Sequence, residues 1–285
     1  MRFTKMHGLG NDYIYIDGTS EDLSDVSLSA LSKLVSDRHL GVGSDGLIVI
    51  LPSERADFRM RIFNPDGSEA EMCGNGVRCF AKYVYEHGLT TKQALEIETG
   101  GGIVRTELYV DGGRVRKVRV DMGPPRLAPD EIPVIASQTG PLIEEEFALP
   151  DGRVFRGTCV SMGNPHCVFF VESVDGFPVQ EVGPLIENHS RFPRRTNVEF
   201  AQVVDGSTIR MRVWERGETM ACGTGACATA VAGVLTARTG RRATVKLLGG
   251  DLEIEWADDN HVYMTGPAAE VCTGTISQEL LEQLD

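Results

Sequence analysis

Two tetrapeptides carry the residue types that can do chemistry in this chain. Cys73-Gly74-Asn75-Gly76 and Cys222-Gly223-Thr224-Gly225 place their cysteines 149 positions apart, each ahead of a run with helical character. At a helix N-terminus the first backbone N–H groups have no intrahelical partner, and the helix dipole adds positive potential. Such a place favours a thiolate and also binds a carboxylate. The dipole alone is not enough. An ordinary thiol with pKa ~8.5 is only a few per cent ionised at neutral pH. The dipole contributes ~0.3–1 kcal/mol, less than the ~1.36 kcal/mol of one pKa unit. A second influence has to tune the sulfurs.

Two charged candidates lie beside the second cysteine motif. Asn164-Pro165-His166 and Glu215-Arg216 occur only in the second part of the chain; the matching earlier positions are Asp12–Tyr13 and Asn64. An unequal His and Glu over equal cysteines would hold one sulfur as thiolate and the other as thiol. That pairing is what a racemase without a cofactor requires: one group removes the Cα proton and the other protonates the opposite face. Each sulfur would then sit ~3–3.5 Å from the reacting carbon, ~6–7 Å from its partner. Other uses of the cysteines are weaker. Cys73 with Cys79 and Cys222 with Cys227 are too loosely spaced for zinc, and Cys-x-x-Cys is absent. A thiol-based redox or metal-binding protein is the competing class. The remaining cysteines, Cys79, Cys159, Cys167, Cys227 and Cys272, read as small buried hydrophobes.

The elements that must position these residues come twice. Arg61-Ile-Phe-Asn64 leads to the first motif and Arg212-Val-Trp-Glu215 to the second. Gly10-Asn11 opens DYIYID and Gly163-Asn164 opens PHCVFFV, 153 positions later. Asp45-Gly46-Leu47-Ile48 precedes Asn197-Val198-Glu199-Phe200 by 152. This order at near-constant offset predicts two homologous halves related by a pseudo-twofold axis, residues 1–122 and 123–268, with 269–285 returning to the first half. The site would lie in the cleft between them. Strand alternation marks FTKMH, DYIYID, LIVIL, FRMRIF, ALEIE, IVRTELYV and VRKVRVDM. Helices are expected near Leu28–Arg38, Asn75–His87 (stopped by Gly88) and Thr224–Arg238 (stopped by Gly240). Asp111-Gly112-Gly113 and Gly249-Gly250-Asp251 read as hairpin turns. The proline-bearing stretch Arg126–Arg153 reads as the lead-in to the second half. Strands follow one another without βαβ alternation, so the expectation is α+β: in each half a curled, mostly antiparallel sheet around a central helix, and not a Rossmann sheet.

Composition excludes several classes. Of 285 residues, 41% are hydrophobic and 24% charged, which supports a folded core. The net charge of −13 comes without a basic stripe, so nucleic acid is not an expected partner. No apolar run reaches the ~18 residues of a membrane span, and the N-terminus lacks a signal-peptide core. Seven cysteines, an odd and sparse set, fit reduced thiols in a cytoplasm. Gly8-Leu9-Gly10 and Gly41-Val42-Gly43 lack the full phosphate-loop patterns and read as turns.

The chain resembles the diaminopimelate epimerase family. The likeness runs from Met6-His7-Gly8-Leu9-Gly10-Asn11-Asp12 through Phe63-Asn64-Pro65-Asp66-Gly67-Ser68-Glu69, Met72 to Cys79, Gly163-Asn164-Pro165-His166, Asn197-Val198-Glu199 and Trp214-Glu215-Arg216-Gly217, to Ala221-Cys222-Gly223-Thr224-Gly225. The resemblance implies interconversion of LL- and meso-2,6-diaminopimelate without pyridoxal phosphate or any other cofactor, and without a metal. It implies Cys73 and Cys222 as the acid/base pair and His166 and Glu215 as tuners of their pKa values. Asn11, Asn64, Asn164, Asn197, Glu215 and Arg216 match substrate-binding positions, with Gly74, Asn75, Gly223 and Thr224 at the reacting carboxylate. Some members carry Gln where this chain has Gly46, so that contact is not implied here. Proline racemases share the cysteine pair but read Cys-Gly-His-Gly where Asn75 stands. The partner implied is the small substrate, and the sequence is compatible with a monomer or a homodimer.

Overall fold

β-branched and aromatic residues dominate the segments that become strands, and many of these strands bury every second side chain, as Gly102–Asp111 does. The computed structural model describes residues 1–284. In chain order the first elements are β1 (Arg2–Gly8), β2 (Asn11–Asp17), α1 (Leu28–Ser36), β3 (Leu47–Leu51), β4 (Phe58–Phe63), β5 (Glu69–Ala70), α2 (Gly74–Glu86), β6 (Ala94–Thr99), β7 (Gly102–Asp111) and β8 (Arg114–Asp121). Then follow β9 (Glu145–Ala148), β10 (Val154–Ser161), β11 (Pro165–Phe170), α3 (Val179–Glu187), β12 (Asn197–Asp205), β13 (Thr208–Trp214) and β14 (Glu218–Thr219). The last are α4 (Gly223–Leu235), β15 (Arg242–Leu247), β16 (Gly250–Trp256), β17 (Val262–Gly266), β18 (Ala269–Thr275) and α5 (Gln278–Leu281). The fold is α+β. It divides into two units, residues 1–120 with 266–285, and residues 121–265.

The two units repeat one topology. In the first, β1–β2 and β3–β4 are antiparallel, β2–β3 and β4–β6 are parallel, and β6–β7 is antiparallel, with β5 beside β4. In the second, β10–β11, β12–β13 and β15–β16 are antiparallel, β11–β12 and β13–β15 parallel, and β14 lies beside β13. Both parallel steps arise because a helix, α1 or α3 first and α2 or α4 second, carries the chain back across the strands. Each unit closes on one buried helix. Every α2 residue from Gly74 to Val84 is buried, as are nearly all of α4 from Gly223 to Gly233. A helix buried all round needs no polar face, and the alanines and glycines of α4 let β10, β11, β12, β13, β15 and β16 all approach it. In the first unit β18 pairs with β1, and Ile276 joins the cluster of Ile14, Leu31, Leu47 and Phe63.

Several sequence expectations shift, each for a local reason. α1 stops at Ser36 because the Asp37 carboxylate accepts from the N–H groups of His39 and Leu40, both at 2.7 Å, and turns the chain. Gly88 follows α2 in the left-handed region (φ 74°) as expected, but α4 ends at Leu235 with Ala237, not Gly240, in that region (φ 55°). Gly112 and Gly113 make the β7–β8 turn with positive φ at both positions; the β15–β16 turn falls one residue earlier than read, at Leu248-Gly249. The lead-in 126–153 itself contributes to the core of the second unit, through Ile132, Val134, Leu142 and Phe147. Helix α3 escapes the sequence reading because Gly183 and Pro184 interrupt its helical signal. It forms because Val179, Val182 and Ile186 bury themselves against that core. Cys272 departs from the buried reading: it is exposed on β18, where Glu270 to Thr273 all meet solvent, while Cys79, Cys159, Cys167 and Cys227 are buried. Burial pushes the Cys79 thiol up to about 12.

A Cβ at Gly183 would lie 2.5 Å from Trp214 Cγ on β13. Trp214 is also held by its indole N–H donating to Glu187 at 2.7 Å, so it cannot swing away freely. Gly183→Ala is therefore expected to lose about 1–3 kcal/mol, read as a lower urea midpoint at unchanged slope.

Candidate active site

Both cysteines occupy the N-cap position of a buried helix. Cys73 (φ −144°, ψ 112°) caps α2, and its sulfur accepts from the N–H of Gly76 at 3.4 Å. Cys222 (φ −123°, ψ 112°) caps α4, and its sulfur accepts from the N–H of Gly225 at 3.2 Å. A sulfur thus takes the place that a serine or aspartate oxygen usually fills, on one of the unpaired N–H groups of the first turn. The second glycine of each motif is sterically required. A Cβ at Gly76 would come to 2.7 Å from Ile48, and one at Gly225 to 2.7 Å from the Glu199 carboxylate.

Around Cys73 the neighbours are neutral or donating. The Asn11 carboxamide oxygen lies 3.5 Å from the sulfur and 3.3 Å from the Asn75 amide nitrogen. Asn11 is oriented by donating to Asp45 at 2.9 Å. The Tyr13 hydroxyl donates to the sulfur at 3.6 Å. Desolvation raises the Cys73 thiol, which is only partly exposed, while the Gly76 N–H, the Tyr13 hydroxyl, the Asn75 backbone and the Arg78 charge pull it back down.

Around Cys222 the electrostatics reverse. The thiol donates to Glu215 Oε1 at 3.0 Å, and Thr219 donates to the other Glu215 oxygen at 2.9 Å. Thr224 lies 3.4 Å from the sulfur. Burial drives this thiol well above its ordinary value, and the carboxylates of Glu215 and Glu199 drive it further. His166 and Glu199 form a wholly buried pair, Nδ1 to Oε1 at 2.7 Å, with 0% exposure of either side chain. His166 Nε2 donates to Asn164 Oδ1 at 3.0 Å, which leaves a single proton between Nδ1 and the carboxylate. Burial raises the Glu199 carboxyl and the His166 partner lowers it. Nitrogen, oxygen and sulfur of His166, Glu199 and Cys222 gather within 4.8 Å. Both imidazole nitrogens are already engaged, so hydrogen bonding accounts for the cluster.

The residues named from sequence fall into two groups, one in each unit. Asn11, Cys73, Gly74 and Asn75 meet at the start of α2. Asn164, His166, Glu215, Cys222, Gly223 and Thr224 gather at the start of α4, and Asn197 stands opposite His166 in the β11–β12 register. Asn64 lies in a turn after β4, where its amide donates to Ser68 at 2.9 Å. Arg216 is exposed in the left-handed region (φ 62°), and its guanidinium has no hydrogen bond or ion pair among the described residues. An arginine held so is open to a carboxylate. Sequence reasoning passed over Glu199 and Tyr13 as site residues. The repeat held the signal for Tyr13, which lies where the second half has His166. Glu199 stands where the first half has Leu47, an unmatched acid that only burial makes conspicuous. Gly46 has φ 151°, and a Cβ there would meet the Phe63 carbonyl oxygen at 2.3 Å and the Tyr13 ring at 2.9 Å, so no side chain fits.

Removing one carboxylate tests the charge balance at Cys222. Because Glu215 raises this thiol, Glu215→Gln is expected to move its ionisation about one unit toward lower pH. The pH dependence of Cys222 alkylation by iodoacetamide, followed by peptide mass spectrometry, measures this; an unmoved midpoint would deny Glu215 that influence.

Known proteins resemble this chain along nearly its whole length. The family profile described as diaminopimelate epimerase matches residues 3–128 and 158–271. The chain is 59% identical over 277 residues to the diaminopimelate epimerase of Moorella thermoacetica, covering 96% of this chain and 98% of that protein. It is 56% identical over 279 residues to that of Methanococcus maripaludis, covering 97% and 99%. Among solved structures it shares its fold with a probable proline racemase of Agrobacterium radiobacter (TM-score 0.72, 15% identity, 97% and 93% covered). A PhzF-family phenazine biosynthesis protein of Bacillus anthracis is similar in the same way (TM-score 0.71, 17% identity, 97% and 99% covered). With two cysteine-capped helices on a duplicated α+β scaffold, and relatives of this identity along nearly its whole length, the chain belongs to the diaminopimelate epimerase family.

Proposed function

We propose that this chain interconverts LL- and meso-2,6-diaminopimelate, an amino-acid epimerisation that serves lysine and peptidoglycan precursor synthesis, with Cys73 and Cys222 as the two bases. One sulfur, as thiolate, takes the Cα proton; the other, as thiol, delivers a proton to the opposite face. The net reaction moves only protons, so no cofactor or metal is required by its balance. The observation that carries the reading is the matched placement of two N-capping cysteines in topologically equivalent units, with unequal charge around them.

The surrounding groups have roles that follow from their chemistry. Amides at the starts of α2 and α4, from Gly74, Asn75, Gly223 and Thr224, suit the carboxylate beside the reacting carbon. Proton abstraction builds negative charge on that carboxylate, so donors fixed in advance favour the transition state over the ground state. Arg216 suits the distal carboxylate, and Asn11, Asn64, Asn164 and Asn197 suit the ammonium and carboxylate groups of a substrate that carries two of each. His166 and Glu215 set the ionisation of Cys222. The enzyme is placed in the cytoplasm, where its thiols stay reduced. One chain supplies both sulfurs, and light scattering on the eluting protein distinguishes the monomer from a homodimer. No helix among the described residues is long and apolar enough to cross a membrane.

The test is incubation with LL-diaminopimelate in D₂O under reductant, following both stereoisomers and the label at Cα. Isomer interconversion with deuterium incorporation is expected. Cys73→Ser and Cys222→Ser should each lower turnover by orders of magnitude with the fold intact, because both sulfurs act in one exchange. Full activity in either variant would remove the two-base mechanism. In a separate measurement Arg216→Leu should raise KM more than it lowers kcat, and an unchanged KM would deny it the clamp.

A further inference from the structure

We propose that Tyr13 is a positioning residue for Cys73, its phenolic O–H donating to the thiolate form of that sulfur and so favouring ionisation there. The proposal rests on the two-thiol reading of the site. Three observations support it.

The first is contact. Tyr13 is 7% exposed, on β2, and its hydroxyl lies 3.6 Å from Cys73 Sγ, within the longer reach that a sulfur acceptor allows an O–H donor. It is the one side-chain hydroxyl hydrogen-bonded to Cys73 among the described residues. The second is that the backbone makes room for the ring. With φ at 151°, the Phe63 carbonyl oxygen at 2.3 Å and the Tyr13 ring at 2.9 Å from a would-be Cβ, Gly46 can be nothing larger. The ring therefore occupies space that a side chain just before β3 would otherwise take. The third is the repeat. Tyr13 stands where the second unit has His166, whose nitrogens are both engaged by Asn164 and Glu199. The same strand position thus serves each cysteine differently: a hydroxyl at one sulfur, a histidine–carboxylate pair beside the other.

The groups around Cys73 within the first unit keep the sign of the effect clear. From β2 come Asn11, Tyr13 and Tyr15, from the segment before β3 comes Asp45, and from α2 come Asn75, Arg78 and Cys79. Burial holds the Tyr13 phenol well above its ordinary value, and the adjacent Cys73 sulfur and then Asp45 raise it further, so the proton of this contact belongs to the phenol oxygen. Tyr15 is likewise held well above its own value, and its hydroxyl donates to the Gly76 carbonyl oxygen at 3.0 Å. Cys79 stays protonated up to about 12. Asp45 carries the negative charge in this set, and its carboxylate accepts from Asn11 and Arg38. Arg78 contributes a cation that favours the thiolate.

The experiment titrates Cys73 in the full chain without substrate. In a Cys222→Ser background, the rate of Cys73 alkylation by iodoacetamide is followed from pH 7 to 11, with thiolate absorbance at 240 nm beside it. Tyr13→Phe removes one oxygen and keeps the ring. It is expected to move the Cys73 midpoint up by about one pH unit, an order-of-magnitude slower alkylation below that midpoint. A fluorinated tyrosine at position 13, a stronger donor with its ring retained, should move the midpoint down. In the chain with both cysteines, Tyr13→Phe should shift one limb of the pH–rate profile with little change in KM. A midpoint unmoved by both replacements overturns the proposal, even if activity falls. Failure of the parent chain to exchange deuterium into diaminopimelate would instead overturn the functional reading and leave the titration result standing.

Discussion

A sulfur that must accept from the third N–H of a helix, while that helix lies buried, constrains nearly everything around it. The cap needs extended backbone at the cysteine and a glycine three residues on, because strand side chains press to within contact of that position. It also needs the helix inside the unit, since only there do neighbouring strands reach the sulfur from several sides. The sheet curled about α4 follows from this, and so does the small-residue composition that lets the strands approach. At each cap one first-turn N–H group is spent on a sulfur, where a serine or aspartate oxygen would ordinarily accept it.

Within this shared frame the two sulfurs differ in electrostatic surroundings. At Cys73 a phenol, backbone amides and an arginine oppose the cost of placing charge in dry packing. At Cys222 that cost is increased by two carboxylates, one accepting the S–H directly. A buried His166–Glu199 pair is costly to assemble and gives little stability by itself, so its presence beside a cysteine argues for an electrostatic role. A duplicated scaffold with unequal inserts surrounds its two sulfurs differently while both cap residues keep extended backbone.

Much of this was legible in the primary structure. Repetition exposed the duplicated topology, and the Cys-Gly-x-Gly motifs marked both capped helices to within about a residue at their starts. What escaped did so for identifiable reasons. Helix α3 contains Gly183 and Pro184, and its existence depends on the apolar face it buries. The end of α4 is set by Ala237 adopting a conformation usually left to glycine. Cys272 lies on a strand whose outward side meets solvent, which a cysteine's usual preference for burial does not reveal. The 126–153 stretch opens the second unit, and its prolines hide the core residues it supplies.

The order of residues alone determined that there are two equivalent cysteines, each with a glycine-bearing helix start, and a histidine and glutamate beside only one. That information is local, carried by spacing and by comparison of the chain with itself. Tertiary structure decided which groups touch the sulfurs. Tyr13 on β2 reaches Cys73 at the start of α2 from 60 residues away, and Glu199 reaches His166 from 33 through the β11–β12 pairing. Burial then determines how strongly each contact acts, because a charge or hydroxyl counts for little in water and for much in a dry interior. No arrangement of residue types along the chain states that dryness.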